Sequence, residues 1–175
     1  MSENFFNADI STNRFTLKPL NLGDVTQRYA DWLNNSSTNQ YISSKLSLKE
    51  LKGYVAERCN RDDVLFLGIF NKVDGLHIGN IKYEPVDTQQ KYAVMGILIG
   101  DSAWRGKGVA GEVILASIDW LHKNKSINHI VLGVNKANTA AIRAYQKIGF
   151  IEKSSKYLPD QEIENTTMIL DLNLA

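Results

Sequence analysis

The segment Arg105-Gly-Lys-Gly-Val-Ala110 is where this sequence most plainly offers chemistry. It stands between an apolar run that reads as a strand and a periodic stretch that reads as a helix. Glycines at such a turn let backbone N–H groups approach an anion, and the helix N-terminus adds its partial positive charge. Arg105 and Lys107 would strengthen that field. The chemical expectation is a phosphate or pyrophosphate site. A tight strand-to-helix turn also needs glycine for steric reasons alone, so the turn by itself leaves both readings open.

Two phosphate motifs can be tested against it. The Walker pattern requires a Gly separated by four residues from the Gly-Lys pair and Ser or Thr behind it; here those places hold Asp101 and Gly108. The dinucleotide pattern matches formally, as Gly106-Lys-Gly108-Val-Ala-Gly111, but its context is missing. The strand after this helix ends Leu132-Gly-Val-Asn135, without an acidic residue for a ribose hydroxyl. The strands before it read as an antiparallel meander. A nicotinamide-dependent dehydrogenase is therefore disfavoured.

A second segment, Asn138-Thr-Ala-Ala-Ile-Arg-Ala-Tyr145-Gln-Lys-Ile-Gly149-Phe150, carries a helix N-cap candidate and a tyrosine on an inner stripe. Other constellations are absent. His77, His122 and His129 lack metal-ligand spacing, and no metal is expected. Cys59 lies on a helical stripe and reads as core rather than nucleophile. No serine-nucleophile elbow occurs. Trp32, Trp104 and Trp120 lack the basic interleaving of a nucleic-acid platform.

The elements that must position these residues follow from periodicity. Phe15 to Lys18 alternates as a strand. Val25, Tyr29, Trp32 and Leu33 form one helical stripe that begins near Asn21 to Asp24. Ser47-Leu-Lys-Glu50 is a capping box opening a second helix with Leu48, Leu51, Val55 and Cys59 on one face. Val64–Phe70, Leu76–Glu84 and Tyr92–Ile99 form a three-strand meander. The helix after Gly108 turns Val109, Val113, Ile114, Ser117, Ile118 and Leu121 inward. His129–Val134 is a strand, and Ala137–Ile148 is a helix ended by Gly149 as a left-handed cap. Phe150 onward and Thr166–Leu172 close the fold. The order is β-α-α-β-β-β-α-β-α-β-β, an α/β (α+β) chain with a mixed sheet and helices on its faces.

At 175 residues one domain spanning 1–175 is expected, with residues 1–12 as a flexible lead-in. Lys and Arg number 20 against 19 Asp and Glu, a net charge of +1, which gives no general pull toward nucleic acid or an anionic membrane. The opening residues lack a signal peptide's basic and apolar regions, and no apolar run reaches the length of a membrane span. With a single cysteine, the expected location is the cytoplasm.

Arg105-x-x-Gly108-x-Ala110 resembles the acetyl-CoA signature of the GNAT acetyltransferases, Q/R-x-x-G-x-G/A. The Asn138 to Phe150 stretch is similar to that family's next helix, with its Asn and Tyr-x-K-x-G-F. The element order resembles the family fold from about Phe15 to Leu172: a mixed, mostly antiparallel sheet with helices on both faces. The resemblance implies an N-acetyltransferase using acetyl-CoA as co-substrate. The cofactor would lie where two strands splay apart, its pyrophosphate on Arg105, Gly106, Lys107, Gly108, Val109 and Ala110. Leu98 and Ile99 would lend backbone to the pantetheine arm, and Asn138 would stand near it. Tyr145 matches the family's general acid; packing in the core is its alternative role.

Many relatives carry an acidic base where this sequence has Val94 and Met95. Glu84 is the first substitute, then Glu112, and a base-free route stays open. The acceptor region, Trp32 to Ser44, is polar and nearly uncharged, which suits a hydroxyl-rich amine better than a polycation. It resembles a segment of some amino-sugar acetyltransferases, so the expected acceptor is a nucleotide-linked amino sugar. The chain is also similar to enzymes that acetylate the N-terminal residues of ribosomal proteins. A third reading is an inactive module that binds acyl-CoA. A homodimer is compatible with the sequence.

Overall fold

Strand pairing organises the chain around a single eight-stranded sheet in the order β1-β2-β3-β4-β5-β6-β8-β7. The structure is a computed structural model that describes residues 6–35, 46–159 and 162–173. The strands are β1 (Ile10–Ser11), β2 (Phe15–Pro19), β3 (Leu65–Asn71), β4 (His77–Asp87), β5 (Tyr92–Ile99), β6 (His129–Asn135), β7 (Ile151–Glu152) and β8 (Asn165–Asp171). The helices are α1 (Gln27–Asn34), α2 (Leu48–Cys59), α3 (Val109–Lys125) and α4 (Thr139–Ile148). Every neighbouring pair is antiparallel except β5 and β6, which run parallel.

Alternation along the strands feeds two separate cores. Leu65, Leu67 and Ile69 of β3 join the inner stripe of α3 and the partly buried stripe of α4, while Phe66 joins Val25, Tyr29, Leu33, Leu51 and Val55 on the α1–α2 side. A strand covered on both faces reads as a continuous apolar run, which is the pattern of β3. The α3 stripe is the expected one: Val109, Val113, Ile114, Ser117, Ile118 and Leu121 are its buried residues. The Ser47–Glu50 capping box opens α2 as expected.

Three departures have local causes. The segment expected to be a lead-in contributes Phe6, Ala8 and Ile10 to the core, and Ile10–Ser11 adds an edge strand on Leu17 and Thr16. The first helix begins at Gln27 rather than near Asn21. The Asp24 carboxylate accepts from Asn21 N and Asn21 Oδ1 accepts from Gly23 N, closing a turn there, and Thr26 takes the cap, accepting from Tyr29 N. The strand expected from Phe150 shrinks to Ile151–Glu152. At the end of β5, Gly100 lets the Trp32 ring of α1 pack directly on the backbone; a Cβ there would fall 2.1 Å from the ring.

Candidate active site

The parallel pair β5–β6 is bonded only at its start. Tyr92 faces His129, Ala93 faces Ile130 and Val94 faces Val131; beyond that rung the strands part. β6 stays paired with β8 along its whole length, and β5 with β4. The parting therefore opens a cleft inside the sheet with unpaired backbone along the β5 edge. Helices α3 and α4 follow β5 and β6, so both helix N-termini stand at the carboxyl end of the cleft. That end of a parallel strand pair is where α/β sheets receive ligands.

At the α3 start, Gly106 and Gly108 have φ of 71° and 74°, a left-handed conformation that favours glycine. Gly108 caps the helix without a side-chain bond. The helix geometry leaves the amides of Val109, Ala110 and Gly111 without intrahelical acceptors. A Cβ on Gly106 would meet nothing within 4 Å, and one on Gly108 only Arg14 Nη2 at 3.9 Å. The turn is thus open rather than filled by packing, with helix-start amides whose geometry suits an anion.

The two cations of the turn divide their work. Lys107 is exposed, with its ammonium 5.7 Å from the Trp104 ring centre. Arg105 turns back, donating from Nε to Ile99 O and from Nη2 to Gly100 O, both 3.0 Å. It staples the strand end to the turn. The Leu98 carbonyl lies against Gly79 of β4, whereas the Ile99 carbonyl faces the other way, toward Arg105. Backbone direction alternates along a strand, so Ile97 and Ile99 present their backbone to the cleft side and Leu98 does not.

Asn138 caps α4, its Oδ1 accepting from Ala141 N. Tyr145 lies on the α4 stripe with Ile142 and Ile148, half-buried against the main core. Its ring centre is 5.9 Å from that of Phe150. The hydroxyl has no hydrogen-bond partner among the described residues, and burial pushes its pKa up to about 12. The proton therefore stays on that oxygen throughout the neutral range.

The sequence profile of the acetyltransferase (GNAT) domain matches residues 14–151. This chain belongs to the GNAT family of acetyltransferases. A mycothiol acetyltransferase of Renibacterium salmoninarum is 36% identical over 107 residues, which cover 59% of this chain and 31% of that protein. The fold is shared with a Vibrio cholerae spermidine N-acetyltransferase solved with CoA and spermine. Its TM-score is 0.78 at 19% identity, over 91% of this chain and 96% of that one. A ribosomal alpha-N-protein acetyltransferase solved with coenzyme A gives a TM-score of 0.81 at 13% identity, over 96% and 100% of the two chains.

Within this GNAT chain, the two carboxylates considered as bases are both engaged. Glu84 accepts from Arg58 Nε at 3.0 Å and Arg61 Nη1 at 2.6 Å, with Lys82 Nζ at 2.7 Å. Burial pushes its pKa up, but the Lys82 ammonium and Arg58 guanidinium outweigh it and hold the carboxyl below its usual range. Glu112 pins the β1–β2 turn to α3, accepting from Thr12 Oγ1, Arg14 N and Arg14 Nε at 2.7–2.8 Å. Burial raises its pKa too, and the Thr12 and Arg14 bonds again lower it on balance. A carboxylate held so firmly in its charged form is a weak proton acceptor. These placements weigh against Glu84 as first-choice base.

Glu84→Gln leaves Lys82, Arg58 and Arg61 short of a counter-charge at a site 18% exposed, so stability at neutral pH falls by about 1–2 kcal/mol. A lowered carboxyl pKa stabilises the fold fully above its ordinary value of 4.5, and that contribution is lost as pH falls through the folded value. Urea unfolding at neutral and at acid pH checks this: the deficit disappears in acid. The pH–rate profile keeps the wild-type shape; selective loss near neutral pH would restore Glu84 as base.

The sequence reading did not find a cavity of about 370 Å³ between α1, α2 and the sheet, lined among others by Tyr29, Leu33, Leu51, Tyr54, Asn80 and Lys82. A signal existed. In β4, Asn80, Lys82 and Glu84 put polar groups on one face of a central strand covered by helices, where apolar residues are the rule. Most of the loop from which the acceptor was inferred, residues 36–45, lies outside the described residues. Cys59 is half-buried, donating to Leu20 O at 3.4 Å, and burial, with Asp24 adding, raises its pKa. No group of His, Cys, Asp and Glu among the described residues is assembled to hold a metal ion, and no described helix is long and apolar enough to cross a membrane.

Proposed function

We propose that the chain transfers the acetyl group of acetyl-CoA to the primary amine of a small molecule or of a protein N-terminus, by direct attack within one ternary complex. The observation that carries this is the parting of β5 and β6 beyond Val94 and Val131, with the open Gly106–Gly108 cradle at its end. An extended amide-bearing arm needs an unpaired strand edge, and a pyrophosphate needs clustered N–H groups. The cleft supplies both. Backbone of Ile97 and Ile99 would hold the arm, and the amides from Gly106 to Gly111, aided by Lys107, the diphosphate. When bound, acetyl-CoA supplies the acetyl group as an activated thioester.

Three proton transfers remain for the chain and its solvent. The attacking nitrogen must arrive neutral, yet an alkyl amine of ordinary pKa is only ~0.1% neutral at pH 7, a cost of about 4 kcal/mol. With Glu84 and Glu112 held by cations, water at the cavity receives that proton. Tyr145 gives its proton to the sulfur that leaves when the C–S bond breaks and the C–N bond forms, and the second proton shed by the newly bonded nitrogen returns through water to the Tyr145 oxygen. The amino-sugar acceptor expected from the loop keeps no support from the described lining, which is mostly apolar.

Incubation with acetyl-CoA and a panel of amines, following free-thiol release and acetylated product, tests the proposal. Product with at least one amine is expected. Acetyl-CoA binding without product from any of them would favour an acyl-CoA-binding module instead.

A further inference from the structure

Asn80 is 4% exposed and lines the α1–α2 cavity, and its Nδ2 is buried without a hydrogen-bond partner. Its other end is fixed. His77 Nε2 lies 2.7 Å from Asn80 Oδ1. The His77 ring is stacked on Phe70 at 4.9 Å and edged by Trp32 at 5.1 Å and Tyr29 at 5.6 Å. Burial lowers the His77 pKa, which keeps the imidazole neutral; with its proton on Nε2 it donates to Oδ1. The amide is thereby oriented, and the unpaired N–H₂ remains for a ligand. Buried donors in folded proteins find partners, so an oriented, empty one beside a cavity implies an incoming oxygen.

The surroundings narrow what carries that oxygen. Asn80 is the register partner of Leu98, and Lys82 of Gly96, so both stand on the strand next to the cleft edge, roughly 4.8 Å from β5. Tyr29, Leu33, Leu46, Leu51, Tyr54 and Phe66 form the walls. The one charged lining residue among those described is Lys82, already bonded to Tyr54 OH at 2.6 Å and Glu84 Oε2 at 2.7 Å. A polyamine would bring further cations to a wall that offers no free carboxylate. A sugar would bring several hydroxyls to a described lining with few polar groups, leaving most of them unpaired.

We propose that Asn80 is a specificity-determining residue for the acceptor: its Nδ2 donates to a carbonyl next to the amine-bearing carbon of an aminoacyl group whose side chain is apolar. The amine then points to the β5 edge, the carbonyl lies on Asn80, and the side chain fills the aromatic and aliphatic wall. This rests on the acetyl-transfer reading above and specifies its acceptor.

The test compares phenylalanine amide with phenethylamine, which keeps the ring and amine but lacks the carbonyl, alongside spermidine and glucosamine. The wild-type protein should favour phenylalanine amide over phenethylamine by about tenfold in kcat/KM, because a site built to bond an oxygen discriminates against an analogue without it. Asn80→Ala should remove that preference, mainly through KM, and bring the two acceptors level. Equal losses with both acceptors would mark Asn80 as structural and overturn the proposal. So would a higher wild-type kcat/KM for spermidine or glucosamine. The wild-type comparison stands even where the variant fails to fold. Calorimetric binding of the same compounds with CoA present separates the two readings: preference for the amide without turnover supports the Asn80 site while removing the transfer reaction, and equal or absent binding overturns the Asn80 site.

Discussion

Gly108→Asp lowers acetyl-CoA affinity by at least about tenfold, or ~1.4 kcal/mol, while the protein remains folded. The substitution places a carboxylate at the helix start, where the amides from Gly106 to Gly111 are expected to receive the diphosphate. Space is available: the nearest atom to a Cβ there is Arg14 Nη2 at 3.9 Å, a partner the new carboxylate can reach. The φ of 74° costs a non-glycine residue something, though Asp and Asn tolerate it better than most. Gly108→Asn isolates the charge from that strain, since it has the same shape without the negative charge. Calorimetric titration of acetyl-CoA into both variants should show the larger loss with Asp. Wild-type affinity in a folded Gly108→Asp protein would move the diphosphate elsewhere.

Tyr145→Phe lowers the rate of acetyl transfer about 10²-fold and leaves acetyl-CoA affinity nearly unchanged. Only the hydroxyl is lost, so the ring still packs beside Phe150 against the main core. Because that hydroxyl bonds to no described residue, its removal orphans nothing, and thermal stability should stay level or rise slightly. The combination is diagnostic. A tyrosine kept for packing would show unchanged turnover in the Phe variant, whereas a proton donor shows a large rate loss in a fully stable protein. Single-turnover rates together with melting temperature distinguish the two outcomes.

The site divides into parts of different legibility. The left-handed glycines of the turn, the Asn138 cap and the α3 stripe were readable because each depends on neighbours within a few residues. The end of Arg105 was not. Its motif position suggests a phosphate ligand, yet its guanidinium bonds to the Ile99 and Gly100 carbonyls, and five donors leave a planar group many choices. Glu84 shows the same limit more sharply. As a residue type it could be a base, but Arg58 and Arg61 come from α2 and the turn after it, and Lys82 from its own strand. Which charges meet depends on packing between elements, and their meeting reverses the chemistry.

By itself the sequence determined the order of elements from Phe15 onward, the Ser47 and Asn138 helix caps, the turn glycines and the apolar stripes, because short-range periodicity and backbone preference set them. Tertiary structure decided where β5 and β6 separate, that Ile97 and Ile99 rather than Leu98 turn their backbone to the cleft, and that Phe6, Ala8 and Ile10 join the core. It also decided that Tyr29, Leu51, Tyr54, Asn80 and Lys82 surround one cavity. Those outcomes depend on strand register and on side chains far apart in the chain, and no local pattern encodes either.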